Sequence, residues 1–192
     1  TFEAPFIYLL IGETSALLLD TGATNTATLR NAVRARIGQK PLLVAHTHGH
    51  GDHLAGDAQF AGQPNTMVVA NNLTAIRSAF GTTASMNGMR ELGNRVVDVF
   101  EIPGHHPNHL AFYDRNTGLL FTGDTLYPGL LFVQNWTRFR ETATKLSQWV
   151  QAHPIAHVLG AHIEMTSTPK QAYPYMTTYQ PAEHVLQLSP HH

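Results

Sequence analysis

Apolar residues occur along this chain in short runs separated by glycine, proline and polar residues. The runs at 6–11 and 16–20 are nearly uninterrupted, and between them lies the turn segment Gly12-Glu13-Thr14-Ser15. Continuous apolarity is typical of strands covered on both faces, so these two runs are predicted to form a β-hairpin. Similar runs predict further strands at 42–45, 66–70, 95–101, 110–113, 119–122 and 155–159.

Helical spacing separates several of these runs. Residues 24–37 repeat apolar positions at helical intervals and stop at Gly38, and residues 138–152 form the clearest amphipathic segment. Shorter helical segments are predicted at 54–60 and, capped by Asn71 or Asn72, up to Phe80. Loops are predicted at 81–93, near a substrate entrance, and at 127–136, and the tail from 166 onward is rich in proline and tyrosine. Alternating helices and strands predict a layered α/β (α+β) fold, with one domain spanning residues 1–192.

The charge balance argues against nucleic acid and anionic membranes as partners. Twelve Lys and Arg oppose thirteen Asp and Glu, for a net charge of -1, which gives no electrostatic reason to expect binding to nucleic acid or to an anionic membrane. No apolar run is long enough to span a bilayer. The chain begins at Thr1, so a leader could have been removed. A cytoplasmic location is favoured, export stays open, and the oligomeric state is not determined.

The histidine content says more about function than the net charge does. The sequence has 13 histidines and no cysteine, so any metal site must use nitrogen and oxygen ligands. Residues 46–53 alone hold four histidines and one aspartate, directly after the predicted strand at 42–45. Clustered imidazoles and carboxylates of this kind indicate zinc or a related metal.

Alternation along an extended chain divides this cluster. His48, His50 and Asp52 share one side, whereas His53 joins them only if the chain turns, which Gly49 and Gly51 permit. In this frame one ion binds the first two histidines, and a second ion binds Asp52 and His53. A frame that uses His46 instead lacks an aspartate at the matching distance and is disfavoured.

The motif at 47–53 resembles the His-x-His-x-Asp-His signature of the metallo-β-lactamase superfamily. The resemblance continues through four further segments, at 18–22, 102–109, 121–126 and 158–162. It implies a four-layer αβ/βα sandwich with a two-metal site at one edge. It also implies seven metal ligands, all imidazoles or carboxylates: His48, His50, His105, Asp52, His53, Asp124 and His162.

The resemblance assigns roles to the distant ligands. His105 completes the first metal site, His162 completes the second, and Asp124 bridges both ions. The implied cofactors are two Zn²⁺ per chain, with iron or manganese possible. Two bridged ions acidify a bound water, which predicts hydrolysis of a carbonyl or phosphoryl centre, and Asp52 is the candidate catalytic residue that orients the nucleophile or handles its proton.

The predicted substrate is a small ester, thioester or lactone. Asp124 makes the chain resemble the glyoxalase II and lactonase branches more than true β-lactam hydrolases, which usually lack the bridging aspartate. The alternatives are a mononuclear iron-dependent sulfur dioxygenase of the same fold, a β-lactam hydrolase, and a non-catalytic binding module. Metal analysis separates the first of these from a dinuclear hydrolase.

Several neighbouring side chains have open roles. Tyr127 is a candidate to hydrogen-bond a substrate carbonyl, although a packed aromatic is the favoured interpretation. His106 stands where the family often has threonine and is not predicted to be a ligand. His109 is predicted to orient its surroundings or to begin a strand, while His153, His157 and His184 are assigned to the surface or to packing.

Overall fold

A computed structural model describes residues 4–83 and 86–190. Its first sheet has the order β1-β2-β3-β4, formed by Tyr8–Ile11, Ala16–Leu19, Leu42–Ala45 and Thr66–Val68. β1 and β2 form the predicted antiparallel hairpin, and β3 and β4 continue the sheet in parallel. The connection from β2 to β3 contains helix α1, Thr28–Ile37, and the short helix α2, Gly51–Leu54, follows β3.

The second sheet is mostly antiparallel. Its strands are β5 (Gly88–Glu91), β6 (Val96–Glu101), β7 (Leu110–Asp114), β8 (Leu119–Gly123), β9 (His157–Gly160) and β10 (Gln187–Leu188), in the order β10-β9-β8-β7-β6-β5. β8 and β9 are parallel because helix α4, Trp136–Gln151, carries the chain back between them. Helix α3, Leu73–Phe80, connects β4 to β5.

Strand β2 shows why its sequence is apolar at every position. Leu17 and Leu19 point into a central core with Val99 and Phe112 of the second sheet. Residues of the opposite parity, such as Leu18, pack instead against α1 in a separate outer core. A third core, on the outer face of the second sheet, packs against α4. The layers are therefore helix, sheet, sheet and helix, which confirms the predicted sandwich.

One predicted loop contains a strand. The segment at 88–91 forms β5, and Gly88 allows it to pass α3, since a β-carbon there would lie 2.1 Å from the Phe80 carbonyl oxygen. The loop prediction at 81–93 was therefore wrong at 88–91, and residues 84–85 lie outside the described ranges. The proline- and tyrosine-rich tail also includes a strand, β10, which pairs with β9 at the sheet edge.

The helix ends differ only in detail from the predictions. Asn72 caps α3 by accepting a hydrogen bond from the Ala75 backbone N–H at 3.0 Å, as expected. α4 begins at Trp136, earlier than predicted, because Asn135 caps it. Within the described ranges, no helix combines the length and apolarity that crossing a membrane would require.

Candidate metal centre

Seven imidazole and carboxylate side chains converge where strands of both sheets end. They are the residues singled out in the sequence: His48, His50, Asp52, His53, His105, Asp124 and His162. The segment from the end of β3 through α2 supplies four, the β6–β7 turn one, and the ends of β8 and β9 one each. α2 begins at Gly51, so the chain turns there and places His53 beside Asp52, as the sequence argument requires.

Three imidazole nitrogens form the first donor group. His48 Nε2 lies 2.9 Å from His50 Nδ1 and 3.2 Å from His105 Nε2, and the latter two nitrogens are 3.0 Å apart. Nitrogens bound at about 2.0–2.1 Å to one tetrahedral zinc ion lie about 3.3 Å apart, so this spacing fits a single ion. Burial lowers the pKa of both His48 and His105, which keeps these rings neutral with lone pairs available.

A carboxylate and two imidazoles form the second donor group. Asp52 Oδ2 lies 3.2 Å from His53 Nε2 and 3.4 Å from His162 Nε2. Asp124 Oδ1 closes the group, at 3.5 Å from His53 Nε2 and 3.4 Å from His162 Nε2. These four atoms are nitrogen and oxygen donors of the kind that zinc, iron and manganese accept.

Asp124 lies between the two groups. Its Oδ2 is 3.8 Å from His48 Nε2 and 3.6 Å from His105 Nε2, while Oδ1 faces the second group. Asp124 Oδ1 and His53 Nε2 are both buried without a hydrogen-bond partner. Buried polar atoms are normally paired, so two such orphans that face each other at 3.5 Å fit a cation placed between them.

The protonation of the second group depends on its carboxylates. Burial opposes ionisation of Asp52 and Asp124, but the neighbouring His162 and His53 lower both pKa values below the ordinary range. Against the effect of burial, the surrounding carboxylates raise the pKa of His53 to about 12 and that of His162 to about 9. A divalent ion here competes with these protons, so its binding releases protons.

Asp20 orients one donor side chain, a role that the sequence did not assign. Its Oδ2 accepts a hydrogen bond from His53 Nδ1 at 2.8 Å, and its Oδ1 accepts from the Thr47 backbone N–H at 2.7 Å. With Nδ1 donating, His53 presents the lone pair of Nε2 to the donor group. The signal for Asp20 was its place in the motif at 18–22, and its contact spans 33 residues of sequence.

His109 supports the bridging carboxylate. Its Nε2 accepts a hydrogen bond from the Asp124 backbone N–H at 3.2 Å, and its ring stacks on His48 with centroids 4.7 Å apart. Burial lowers the pKa of His109 well below its ordinary value, which keeps Nε2 an acceptor. Gly123 has φ +51°, and a β-carbon there would lie 2.7 Å from His109 Cε1, so this approach requires glycine.

Other polar contacts hold the first group. His105 Nδ1 donates to the Phe132 carbonyl oxygen at 2.7 Å, which leaves Nε2 facing the donor group. Gln134 Nε2 lies 3.2 Å from His50 Nε2. His46 belongs to neither donor group, and its Nε2 lies 2.8 Å from Asp57 Oδ1.

Tyr127 packs beside the second group. Its ring lies 5.7 Å from the His162 ring, edge to face. Its hydroxyl donates to the Leu130 carbonyl oxygen at 2.8 Å and lies 3.3 Å from Glu164 Oε2. These contacts already engage the phenol hydroxyl and favour the packing interpretation, while contact with a substrate stays a prediction.

The family model described as "Metallo-beta-lactamase superfamily" matches residues 1–78 and 90–172, most of the sequence. The chain therefore belongs to this superfamily. The match confirms the resemblance drawn from the five motifs.

Among curated proteins, the chain is similar to the hydroxyacylglutathione hydrolase of Anaeromyxobacter dehalogenans (strain 2CP-C). The two are 33% identical over 124 residues, which cover 64% of this chain and 46% of the relative. The chain spans about half the length, or less, of the curated relatives it matches first.

Solved structures share the fold. ETHE1 from Myxococcus xanthus aligns with a TM-score of 0.61 and 18% identity, covering 88% of this chain and 74% of that protein. A metallo-beta-lactamase from Pontibacter korlensis aligns with a TM-score of 0.60 and 19% identity, covering 80% and 77%. At these identities the likeness shows the fold alone.

Proposed function

We propose that this protein is a hydrolase whose residues 1–192 form one catalytic domain holding two Zn²⁺ ions. The position of Asp124 is the observation that carries the proposal. Its Oδ2 faces His48 and His105 at 3.8 and 3.6 Å, and its Oδ1 faces His53 and His162 at 3.5 and 3.4 Å. A carboxylate in that position can bridge two ions. Iron and manganese accept the same donors and are the alternatives to zinc.

The donor groups explain what bound metal would contribute. The first donor group (His48, His50 and His105) and the second (Asp52, His53 and His162), with Asp124 between them, would hold divalent ions, whose chemistry would be to acidify water and to polarise a carbonyl oxygen. Asp20, His109 and the Phe132 carbonyl fix the orientation of the ligands before substrate arrives. Preorganisation of this kind avoids rearrangement during the reaction.

Asp52 is the proposed catalytic residue that orients the attacking water. Its carboxylate is ionised, because His162 and His53 lower its pKa against the opposing effect of burial, and its side chain is 14% exposed, so it keeps access to water. Its Oδ2 lies 3.4 Å from His162 Nε2, inside the second group. From there an ionised carboxylate would accept a hydrogen bond from the attacking water and hold it in place.

The proposed substrate is a small molecule with a thioester, ester or lactone bond. Several curated relatives are named hydroxyacylglutathione hydrolases, at 30–33% identity, which favours a thioester. The chain matches about half of their length, so the acyl and thiol groups of the substrate are to be determined by experiment.

The test is a panel of thioesters, lactones, β-lactams and phosphodiesters, assayed with purified protein, after chelation and after return of zinc. We expect thioester or lactone hydrolysis that chelation abolishes and zinc restores. His105→Ala should abolish this activity and reduce bound metal, because it removes one nitrogen of the first group. The exposed His157 provides the matched control, and His157→Ala should keep both. Full activity and intact metal content in His105→Ala would overturn the proposal.

The same experiment separates the alternatives. One iron per chain, with consumption of oxygen in the presence of a persulfide, would instead identify a mononuclear sulfur dioxygenase. Hydrolysis confined to β-lactams would identify a β-lactamase. Metal-loaded protein without activity on any member of the panel would favour a binding module.

A further inference from the structure

Residues 128–136, the rim segment, run along the site from one donor group to the other. At one end, the Pro128 carbonyl oxygen accepts hydrogen bonds from the backbone N–H groups of Glu164 and Met165, two and three residues after His162. Further along, the Phe132 carbonyl oxygen accepts from His105 Nδ1 at 2.7 Å. The backbone of the rim segment is therefore fixed beside both donor groups.

Three apolar side chains of the rim segment face solvent, on the same segment as the polar Gln134 and Asn135. Leu130 is 65% exposed, Phe132 71% and Trp136 62%. Isolated exposed apolar residues are ordinary, but three on one short segment whose backbone also holds His105 favour a binding surface. The hydrogen bond to His105 fixes the Phe132 backbone and leaves its side chain available for a ligand.

The rim segment carries no charge. From Thr125 to Thr137 the sequence contains no Lys, Arg, Asp or Glu. A thiol such as glutathione brings carboxylates, and this segment offers no cation to pair with them. It does offer apolar surface, and burying a methylene group against such surface is favourable.

We infer that the rim segment is a subsite for an apolar group attached to the scissile carbonyl, so the enzyme selects apolar thioesters or esters. This inference rests on the proposed function and narrows its substrate class. A second copy of this chain is the competing occupant of an exposed apolar surface. The substrate is favoured because the rim segment is continuous with the donor groups through His105 and His50.

The test compares acetyl, butyryl and hexanoyl thioesters of one polar thiol. We expect kcat/KM to rise about 2- to 4-fold for each added methylene group, the gain for partial to full burial of a methylene. Phe132→Ser and Leu130→Ser should flatten this dependence, whereas Phe132→Leu should retain most of it. Met89 is 59% exposed on β5, so Met89→Ser is the matched control and should leave the dependence unchanged.

A second arm identifies which side of the carbonyl the subsite binds. The acyl group is held constant while the thiol is varied from glutathione to butanethiol. If kcat/KM depends on the length of the acyl chain and Phe132→Ser removes this dependence, the subsite lies on the acyl side. The same effect in the thiol series alone places it on the leaving-group side. Equal kcat/KM throughout both series would overturn the inference.

A binding measurement keeps the two proposals distinguishable. Octanoate should shift the emission of Trp136 to shorter wavelength more than acetate does, because an alkyl chain would cover the exposed indole, and the difference should vanish in Trp136→Phe. A shift with octanoate but no hydrolysis of any ester supports the subsite and overturns the proposed function. Hydrolysis without any chain-length preference supports the proposed function and overturns the subsite. A dimer that Phe132→Ser dissociates, with unchanged substrate preference, would assign the rim segment to a second copy and overturn the inference.

Discussion

His46 and His53 are both buried, and each places one ring nitrogen 2.8 Å from a carboxylate oxygen. The partner of His46 is Asp57, whereas the partner of His53 is Asp20. What distinguishes them is the surroundings of the other nitrogen. The second nitrogen of His53, Nε2, lies 3.2 Å from Asp52 Oδ2, inside a donor group. The second nitrogen of His46 belongs to neither donor group. The role of a histidine in this site therefore depends on both of its nitrogens.

Asp20→Asn tests the orientation of His53. The amide preserves the shape, but it replaces a charged acceptor of the Nδ1–H bond with a neutral group. We expect zinc affinity at the second group to fall about 10- to 100-fold, as is typical for loss of a group that orients a ligand. Competition with a chromophoric chelator measures the change.

Asp57→Asn is the matched control for this prediction. It alters an equally short carboxylate contact, with His46, that lies outside the donor groups. It should leave zinc affinity within a few-fold of the original. Equal losses in the two variants would show that the effect of Asp20 is general and does not act through His53.

The convergence of the donor side chains could be predicted from sequence, but the contacts that orient them could not. His48 and His50 stand in one short motif, so alternation along the chain is enough to place them together. Asp20 and His109 act across the fold, through contacts between distant segments. Nothing local in the sequence indicates which backbone N–H group or imidazole they meet.

At the scale of elements, strands with two buried faces were predictable and edge strands were not. β2 is apolar at every position because its residues alternate between two cores. β5, with the sequence GMRE, is mostly exposed or half-buried, so its sequence shows no alternation of apolar and polar residues that would predict a strand. β10 has two residues and lies at the opposite edge of the sheet. Pairing with a neighbour defines both strands, and pairing leaves little trace in composition.

The ion pair between Arg77 and Glu101 joins α3 to β6. Arg77 donates to both carboxylate oxygens of Glu101, at 2.8 and 2.9 Å, and Thr82 adds a hydrogen bond at 3.1 Å. The hydrogen bond from Arg77 lowers the pKa of Glu101, against the opposing effect of partial burial. The carboxylate therefore contributes stability above its unfolded-state pKa, and this contribution is lost as pH falls through the folded-state value.

Glu101→Gln tests this contribution. We expect the wild-type urea midpoint to fall more steeply than that of the variant between about pH 6 and about pH 3. Glu141→Gln is the control, since the Glu141 pair with Arg138 is exposed on both sides and contributes little. Parallel curves for the wild type and Glu101→Gln would show that the pair does not stabilise the fold.

At the scale of the whole molecule, the donor groups join the two sheets. His48 and His50 follow β3 of the first sheet, while His105 and Asp124 come from the second. An ion in the first group therefore links segments that are otherwise held together by the central core. A ligand that binds only the folded state stabilises it in proportion to the logarithm of its concentration over its dissociation constant.

Metal removal should consequently lower the melting temperature. For zinc at about 1,000 times its dissociation constant, the expected stabilisation is about 4 kcal/mol, or about 10 °C for a chain of this size. Thermal melts before and after chelation, followed by return of zinc, measure the difference. Identical and reversible melts in all three conditions would show that no folded-state metal site is present.

Asp124 is proposed to join two ion positions, and the zinc content of the protein tests this proposal. Wild-type protein and Asp124→Ala are dialysed to equilibrium against the same free zinc concentration, and zinc per chain is measured by elemental analysis. We predict about two ions per chain in the wild type and a clear loss in the variant. One ion per chain in the wild type, unchanged in Asp124→Ala, would show that Asp124 does not join two ion positions.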